Sequence, residues 1–482
     1  MNLVEPTTSK AKTGIWGLDD ILSGGFSRGH VFLVEGAPGT GKTTIALQFL
    51  MEGAQAGEKC LYITLSETER ELREGAASHG WALDDAIEVF ELLPPESLLD
   101  SEQQQSLLYS SDLELGETTK QIFEAVERAR PSRVVLDSLS EIRLLAQSSL
   151  TTVMLLDDLT TELADKTVHS VAHGVLRLEE LAPAYGAERR RARIIKYRGV
   201  KFRGGYHDAT ITTGGLNIFP RLVASEYRSS FVRTRMSSGI AELDRLLGCG
   251  IEAGSSTLIL GPAGTGKSLL AIVFIVAAIA RGEKAALFVF DEELGLLFAR
   301  MKGLGVNLEE MQHSGNLFVE QVDAAELSPG EFAHRVRKRV DEDDIKTVVI
   351  DSLNGYQAAI PEENSLILHM HELLQYLNRR GAATFMTVAQ HGLVGDMKAP
   401  VDVTYLADTV MLLRYFEALG TVRRAISIIK KRTGAHESTI REYRIDGRGL
   451  TIGDPLDGFQ GVLRGVPAYV GEGQPLLKEQ VQ

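Results

Sequence analysis

The chain has 482 residues, of which 44% are hydrophobic and 24% are charged, with 51 basic and 65 acidic side chains. This composition is typical of a globular protein with a core, and it excludes intrinsic disorder, a collagen-like fibre and a disulfide-rich miniprotein. The net charge of −14 argues against electrostatic attraction of the whole chain to nucleic acid or to an anionic membrane. Two cysteines favour a reducing compartment, and the longest apolar run, Leu269 to Ala280, is too short to span a bilayer. We therefore expect a soluble, cytoplasmic protein.

The predicted elements of the first half follow one another in a simple order. An apolar strand at 31–36 (VFLVEG) leads into a glycine-rich loop and then a helix. A second strand follows at 60–65 (CLYITL), and a third at 133–137 (RVVLD) ends in an aspartate. Apolar, β-branched strands that alternate with helical segments indicate a parallel sheet covered by helices on both faces.

The second half repeats this order, with strands at 256–261 (STLILG), 285–290 (AALFVF) and 347–351 (TVVID). Many residues recur at one fixed offset of 225 positions, which indicates a tandem duplication. The recurring residues of the first half are Gly14, Ile15, Leu18, Asp19, Gly25, Gly29, Gly36, Gly39 to Lys42 and Gly57 to Lys59, and their partners run from Gly239 to Lys284.

These observations predict an α/β fold of two tandem domains, each a mostly parallel sheet flanked by helices. We assign the first domain to residues 1–221 and the second to 237–453, joined by a polar linker at 222–236. The tail at 454–482 contains several Gly and Pro residues, so we expect it to be extended or docked on a partner.

The two copies differ between the third strand and the next one. After Asp351 the second copy has room for a helix, LILHMHELLQYLNRR, before the strand ATFMTVA. After Asp137 only about fifteen residues precede the strand TVMLL, which is little more than a right-handed crossover needs. We therefore expect a short helix at most and a less well covered sheet. A polar stretch at 94–117 is predicted to be a surface insertion, a candidate interaction loop.

Both copies contain the pattern G-x-x-x-x-G-K-[ST], at 36–43 and at 261–268. Its glycines let backbone N–H groups and a helix N-terminus surround a phosphate, its lysine reaches the β and γ phosphates, and its hydroxyl binds Mg²⁺. Each pattern follows a predicted strand and precedes a helix, as this function requires. The residues predicted to bind ATP are Gly39, Thr40, Gly41, Lys42, Thr43, Thr44, Gly264, Thr265, Gly266, Lys267, Ser268 and Leu269.

Acidic residues at the ends of strands complete the predicted site. Asp137 and Asp351 each end an apolar strand, where a carboxylate can hold Mg²⁺ together with the loop hydroxyl of Thr43 or Ser268. Hydrolysis also needs a general base beside the γ-phosphate. The candidates follow the second strand of each copy and are Glu67 in the first domain and Asp291 and Glu292 in the second.

At this point the chain resembles the KaiC family of tandem RecA-like ATPases, over nearly its whole length to about residue 453. The resemblance includes IIKYRGVKFRGGYHDATITTGGLNIFPRL and AISIIKKRTGAHESTIREYRI. It implies a ring of six subunits with ATP bound between neighbours. It also implies that basic residues of these segments reach the adjacent subunit's ATP, where positive charge stabilises the transition state. These residues are Lys196, Arg198, Lys430, Arg432 and His436.

The chain also departs from the clock members of that family. They carry adjacent glutamates where this sequence has Ser66-Glu67 and Asp291-Glu292, so the first carboxylate is lost in the first domain and shortened in the second. They autophosphorylate a Ser-Thr pair that maps here to Thr404-Tyr405, which leaves Thr404 as the candidate phosphoacceptor. The tail shows no similarity from which a clock partner could be inferred.

Two further patterns have a functional and a structural interpretation. A basic run from Arg189 to Arg203 with interleaved Tyr197 and Phe202 could bind nucleic acid, but the surrounding domain is acidic and part of the run is already assigned to the nucleotide. His169 and His173 could bind a metal near Asp157 and Asp158, but no third ligand has suitable spacing. We favour structural roles for both histidines.

The sequence therefore leads to three functional hypotheses. The favoured one is a cytoplasmic, ring-forming ATPase with possible serine/threonine autokinase activity in the second domain, whose state is read by unidentified signalling partners. The second is a DNA-dependent motor, since recombinases and helicases share the fold. The third is a scaffold in which ATP assembles the ring without turnover.

Overall fold

The structure, a computed structural model, describes residues 10–65, 67–83, 85–92, 111–137, 152–158, 169–182, 186–227, 230–360, 363–390, 403–418, 420–464 and 468–470. The chain divides into two units, residues 1–221 and 222–482. Each unit contains a nine-stranded sheet with helices packed against it.

The first unit is built around a sheet whose strand order is β11-β10-β9-β8-β3-β7-β6-β4-β5. Strands β8, β3, β7, β6, β4 and β5 run parallel, and β9, β10 and β11 extend the sheet in antiparallel fashion. The strands are β1 (Lys10–Ala11), β2 (Phe26–Ser27), β3 (Val31–Gly36), β4 (Cys60–Thr64), β5 (Ile87–Glu91), β6 (Arg133–Asp137), β7 (Thr152–Asp158), β8 (Gly174–Leu181), β9 (Arg189–Tyr197), β10 (Tyr206–Thr212) and β11 (Gly215–Phe219), and the helices are α1 (Trp16–Ile21), α2 (Lys42–Gln55), α3 (Glu69–Ser78) and α4 (Ser111–Ala129).

The second unit has the equivalent sheet, β16-β15-β17-β18-β14-β19-β20-β21-β22, again parallel as far as β19 and antiparallel beyond it. Its strands are β12 (Arg235–Met236), β13 (Ile251–Glu252), β14 (Ser256–Gly261), β15 (Lys284–Val289), β16 (Leu317–Gln321), β17 (Ile345–Asp351), β18 (Ala383–Ala389), β19 (Thr409–Ala418), β20 (Thr421–Lys431), β21 (Arg441–Asp446), β22 (Gly449–Pro455), β23 (Phe459–Gln460) and β24 (Ala468–Tyr469). Its helices are α5 (Ala241–Leu246), α6 (Lys267–Ala280), α7 (Leu294–Gly303), α8 (Leu308–His313), α9 (Pro329–Glu342), α10 (Leu353–Ala359) and α11 (Glu363–Arg379), with 3-10 turns at Ala224–Glu226 and Val462–Arg464.

The central strands are mostly apolar because both faces of each sheet are covered. In β14, Leu258 belongs to a core cluster with Val336 of α9 and Leu373 of α11. The next residue, Ile259, belongs to a second cluster with Leu270 of α6. The sheet therefore lies between two helical layers, and the carboxyl ends of its parallel strands meet at one edge.

The predicted α/β architecture of parallel-rich sheets flanked by helices is confirmed, and all eight predicted strands, including TVMLL and ATFMTVA, are present within a residue or two. Helix α11 contains the predicted LILHMHELLQYLNRR segment, and α10 precedes it. The expected shorter crossover of the first domain lies outside the described residues. The predicted insertion at 94–117 was wrong in part, because α4 already begins at Ser111; residues 94–110 are outside the described part.

Residues 222–236 belong to the second unit, where Leu222 and Ala224 are buried in its core. Tyr227 packs against the same core cluster, and Met236 belongs to the second core cluster of this unit. Across the described ranges, no helix combines the length and the hydrophobicity that crossing a membrane requires.

Candidate functional sites at the two phosphate loops

The first phosphate loop connects β3 to α2 and is held closed by its own side chains. Gly39 and Gly41 have φ of 83° and 99°, left-handed values that suit glycine. The Nζ of Lys42 donates to the carbonyl oxygens of Gly36, at 2.8 Å, and Ala37, at 3.1 Å. An ammonium group and the amino end of α2 therefore lie at the same loop, an arrangement that binds anions.

The second phosphate loop, between β14 and α6, has the same geometry. Gly264 and Gly266 have φ of 77° and 95°, and Lys267 Nζ donates to the Pro262 carbonyl oxygen at 2.9 Å. The hydroxyl of Thr265 donates to the same carbonyl at 2.8 Å. Burial lowers the pKa of Lys267, against the opposing effect of the nearby Asp351 and Asp291 carboxylates.

In the first unit the predicted metal ligands meet beside the loop. Asp137 ends β6, and its Oδ2 lies 3.4 Å from Thr43 Oγ1 at the start of α2. The same oxygen accepts a 2.6 Å hydrogen bond from the hydroxyl of Tyr62. Burial, followed by the charge of Asp137, raises the pKa of the predicted base Glu67. Thr43, Asp137 and Glu67 thus form one site.

In the second unit the predicted acids take different partners. Asp351 accepts a hydrogen bond from the hydroxyl of Thr387, and Asp291 accepts one from the hydroxyl of Ser352. Both carboxylates interact with the ammonium group of Lys267. Glu292 is instead bound by Arg300, with Nε to Oε1 at 3.1 Å and Nη2 to Oε2 at 2.5 Å.

Four of the five basic residues assigned to a neighbouring subunit's ATP contact backbone carbonyls of their own unit. Lys196 and Arg198 donate to carbonyls of the 169–170 segment. Lys430 and Arg432 donate to carbonyls of the 404–407 segment. The fifth, His436, lies in the segment after β20 that packs on Gly248.

The candidate phosphoacceptor Thr404 lies in that second segment. Its carbonyl oxygen accepts from Lys430 Nζ at 2.8 Å, and Thr404 itself is half-buried. The neighbouring Tyr405 is 49% exposed. The side chain next to the candidate acceptor is therefore accessible from outside the chain.

Two arginines of the basic run on β9 pair with acidic neighbours. Arg190 lies within 3.4 Å of both Glu180 and Glu188. Arg191 pairs with Glu179 at 2.6 Å and stacks on Tyr206, 3.8 Å from the ring centre. These pairs leave less positive charge for nucleic-acid phosphates than the sequence alone suggests.

The two histidines considered as metal ligands have protein partners. His169 Nε2 lies 2.6 Å from Oε2 of the buried Glu35, and His173 Nδ1 accepts from Val31 N–H at 3.3 Å. His173 also packs edge-on against His30. Among the residues that the structure describes, no group of three potential ligands is arranged to hold a metal.

Sequence reasoning missed the hydroxyls of Tyr62, Ser352 and Thr387 and the guanidinium of Arg300. Each contacts a predicted acid from another part of the fold. The only sequence signal was a polar atom inside a mostly apolar strand, at Tyr62 and Thr387.

Comparison with known proteins agrees with this geometry. The family model described as "ATPase: KaiC" matches residues 11–223 and again 236–457. The chain is similar to the circadian clock protein KaiC3 of Synechocystis sp. (strain ATCC 27184 / PCC 6803 / Kazusa), with 29% identity over 96% of each chain. It is also similar to the circadian clock oscillator protein KaiC of Acaryochloris marina (strain MBIC 11017), with 30% identity over 97% of this chain and 93% of the relative. The equivalent protein of Parathermosynechococcus lividus is 29% identical over 96% of this chain and 88% of its own length.

Proposed function

The chain belongs to the KaiC family of ATPases, and from that membership we propose that it binds and hydrolyses ATP at both phosphate loops. The observation that carries this proposal is the position of the strand-end carboxylate in each unit. Asp137 lies beside Thr43 of one loop, and Asp351 lies within electrostatic reach of Lys267 in the other. A lysine, a hydroxyl and a carboxylate at one helix N-terminus are the groups that phosphoryl transfer requires.

The donors at each loop suit magnesium, because this ion prefers hard oxygen ligands. Thr43 and Asp137 would hold it in the first unit, and Ser268 and Asp351 in the second. When bound, the ion supplies charge neutralisation for the phosphoryl group. Lys42 in the first unit and Lys267 in the second would each add a positive charge beside the phosphates bound at their own loop.

A proton acceptor for the attacking water is available in each unit. In the first unit it is Glu67, whose pKa is raised by burial and by Asp137, which makes it a better base near neutral pH. In the second unit Asp291 interacts electrostatically with the loop lysine, whereas Glu292 is bound by Arg300. We assign the base role to Glu67 in the first unit and to Asp291 in the second. Glu292, which Arg300 binds, would contribute less to the reaction.

We further propose that copies of the chain form a ring of six in which ATP lies between neighbours. Lys196, Arg198, Lys430, Arg432 and His436 would then contact the neighbour's nucleotide. The side chain of Arg432 is 51% exposed, so it is open to such a contact. A guanidinium brought to the transferred phosphoryl group stabilises the charge of the transition state.

The finer activity we propose is phosphorylation of Thr404, with the resulting state read by signalling partners. The curated relatives named as circadian clock proteins support a signalling role. The paired arginines of β9 disfavour the DNA-dependent motor. A scaffold without turnover remains the alternative, since the same loops would bind ATP in either case.

One experiment separates these functions. The purified chain is incubated with γ-labelled ATP and magnesium while free phosphate, protein-bound label and particle size are followed, with and without DNA. We expect free phosphate in the wild type, unchanged by DNA, and bound label that depends on Lys267 and on Thr404. Lys42→Ala and Lys267→Ala should both weaken assembly, whereas Lys284→Ala, an exposed lysine of β15, should not. ATP-dependent assembly without any free phosphate would instead establish the scaffold.

A further inference from the structure

Tyr62 brings a hydroxyl into the core of the first unit at the predicted metal site. Its side chain is fully buried in β4, and its hydroxyl donates to Asp137 Oδ2 at 2.6 Å. That carboxylate oxygen is the one that lies 3.4 Å from Thr43 Oγ1. The phenol therefore contacts the oxygen that faces the phosphate loop.

The second unit has no hydroxyl at the equivalent position. In the first unit, β4 pairs with β6 so that Tyr62 lies opposite Val135. In the second unit, β15 pairs with β17 so that Leu287 lies opposite Val349. Leu287 is fully buried and apolar. The tyrosine is therefore a difference between two otherwise matching sheets.

The second unit supplies a hydroxyl from the other side. There Asp351 accepts from Thr387 of β18, and Thr387 pairs with Ile259 of β14. The matching pair of the first unit is Val34 with Leu156 of β7. Each strand-end aspartate thus has a buried hydroxyl donor, but the two donors come from opposite neighbouring strands.

We propose that Tyr62 is a positioning residue for the metal ion of the first unit, holding the Asp137 carboxylate toward Thr43 as Thr387 holds Asp351 in the second. This inference rests on the proposed function of Asp137 as a metal ligand. A hydrogen bond to one carboxylate oxygen restricts rotation of the group. The carboxylate therefore loses less conformational entropy when the ion binds. Groups that orient metal ligands in this way typically change metal affinity by about 10- to 100-fold when removed.

A core role alone predicts something different. Tyr62→Phe keeps the ring and its packing, so a merely structural hydroxyl would change the unfolding temperature and leave metal affinity as it was. A positioning hydroxyl would change metal affinity while metal-free nucleotide binding stays the same. Metal binding therefore separates the two roles.

The test uses the full chain with Lys267→Ala, so that only the first site retains its loop lysine. Mn²⁺ is titrated by electron paramagnetic resonance with a non-hydrolysable ATP analogue present, and analogue binding is measured separately without metal. We expect Tyr62→Phe to raise the Kd for Mn²⁺ about tenfold with metal-free analogue binding unchanged. Tyr206→Phe, whose hydroxyl lies 3.4 Å from Glu179, is the matched control and should leave both unchanged.

In the complementary chain with Lys42→Ala, Thr387→Val should weaken Mn²⁺ binding at the second site by a similar factor. Unchanged Mn²⁺ affinity in Tyr62→Phe would overturn this inference alone. A Lys267→Ala parent that binds no Mn²⁺ with the analogue would overturn the proposed function as well.

Discussion

Arg300 binds both carboxylate oxygens of Glu292 through its Nε and Nη2 atoms, at 3.1 and 2.5 Å. The position 225 residues earlier, which is equivalent in the repeat, is Gly75, so the first unit cannot form this pair. The two units therefore treat the same glutamate position differently. In the second unit the Arg300 guanidinium binds the Glu292 carboxylate. Asp291 instead accepts a hydrogen bond from Ser352 and interacts electrostatically with Lys267.

This difference predicts which acid of the second unit is the base. In a Lys42→Ala chain, Asp291→Asn should reduce phosphate release by about 100-fold or more, the usual effect of losing a general base. Glu292→Gln should reduce phosphate release by less than about threefold, which is the effect expected from losing a partly exposed ion pair. Arg300→Gln is the matched control and should behave like Glu292→Gln. The opposite ranking of the two acids would contradict this assignment.

The first unit should depend on Glu67 instead. In a Lys267→Ala chain, Glu67→Gln should reduce phosphate release by about 100-fold, while Glu69→Gln, a half-buried acid of α3 that pairs with Arg73, should not. Because burial and Asp137 raise the pKa of Glu67, the base becomes protonated at a higher pH than an ordinary glutamate. As the pH is lowered, turnover at this site should therefore begin to fall while the pH is still above 4.5, the ordinary pKa of a glutamate. Full activity of Glu67→Gln would exclude this residue as the base.

The first unit also contains a buried ionic group in β3, the strand that leads into its phosphate loop. Glu35 is 2% exposed and lies 2.6 Å from His169 and 2.7 Å from Arg177. The equivalent of Glu35 in the second unit is Leu260, and the strand partner there is Leu412. Breaking such a pair leaves a buried charge without compensation, whereas replacing both members by apolar residues is often neutral.

We therefore expect Arg177→Leu to lower the free energy of unfolding of the first unit by about 2 kcal/mol and the double change with Glu35→Leu to recover most of that loss. Both tryptophans of the chain, Trp16 and Trp81, belong to the first unit. Urea unfolding followed by tryptophan fluorescence therefore reports on this unit within the full chain. A double variant less stable than Arg177→Leu would contradict the expectation.

A buried histidine makes the first unit sensitive to acid. His207 Nδ1 accepts from Arg221 N–H at 2.9 Å, so its Nε2–H donates to the Arg203 carbonyl at 3.0 Å. Burial, with the charges of Arg203 and Arg221 acting in the same direction, lowers its pKa from 6.5 to about 4. The unfolded chain binds this proton below pH 6.5 while the folded unit does not. Stability is therefore fully present above pH 6.5 and is lost as the pH falls toward 4, by about 3 kcal/mol.

The measurement is the same fluorescence-detected urea unfolding, repeated between about pH 7.5 and about pH 4, a range that covers the pKa of His207 in both the folded and the unfolded chain. His207→Gln should be less stable at neutral pH but should show a shallower decline across this window. The difference between the two curves isolates the histidine from the other titrating groups. Parallel curves would show that His207 does not carry the acid sensitivity.

The parts that the sequence predicted are those determined locally. A glycine-rich loop between an apolar strand and a helix is recognisable from its own residues, and so is an aspartate at the end of a strand. The repeat then located the second loop from the first. These features fix the fold and the positions of Lys42, Lys267, Asp137 and Asp351 without any knowledge of packing.

The partners of those acids depend on register between distant strands. Tyr62 reaches Asp137 only because β4 and β6 are neighbours with that pairing, and Thr387 reaches Asp351 from a different strand. The helix at Ser111 was missed because a polar composition was interpreted as a loop, although its later residues Ile122 and Ala125 are buried. Such contacts follow from tertiary packing, which a single sequence does not display.

The central claim is that each unit holds one nucleotide through its own phosphate loop. Calorimetric titration of the full chain with a non-hydrolysable ATP analogue and magnesium tests it most directly. We predict two bound nucleotides per wild-type chain, one for Lys42→Ala, one for Lys267→Ala and none for the double variant. Wild-type protein that binds no nucleotide, or a double variant that still binds two, would contradict the claim.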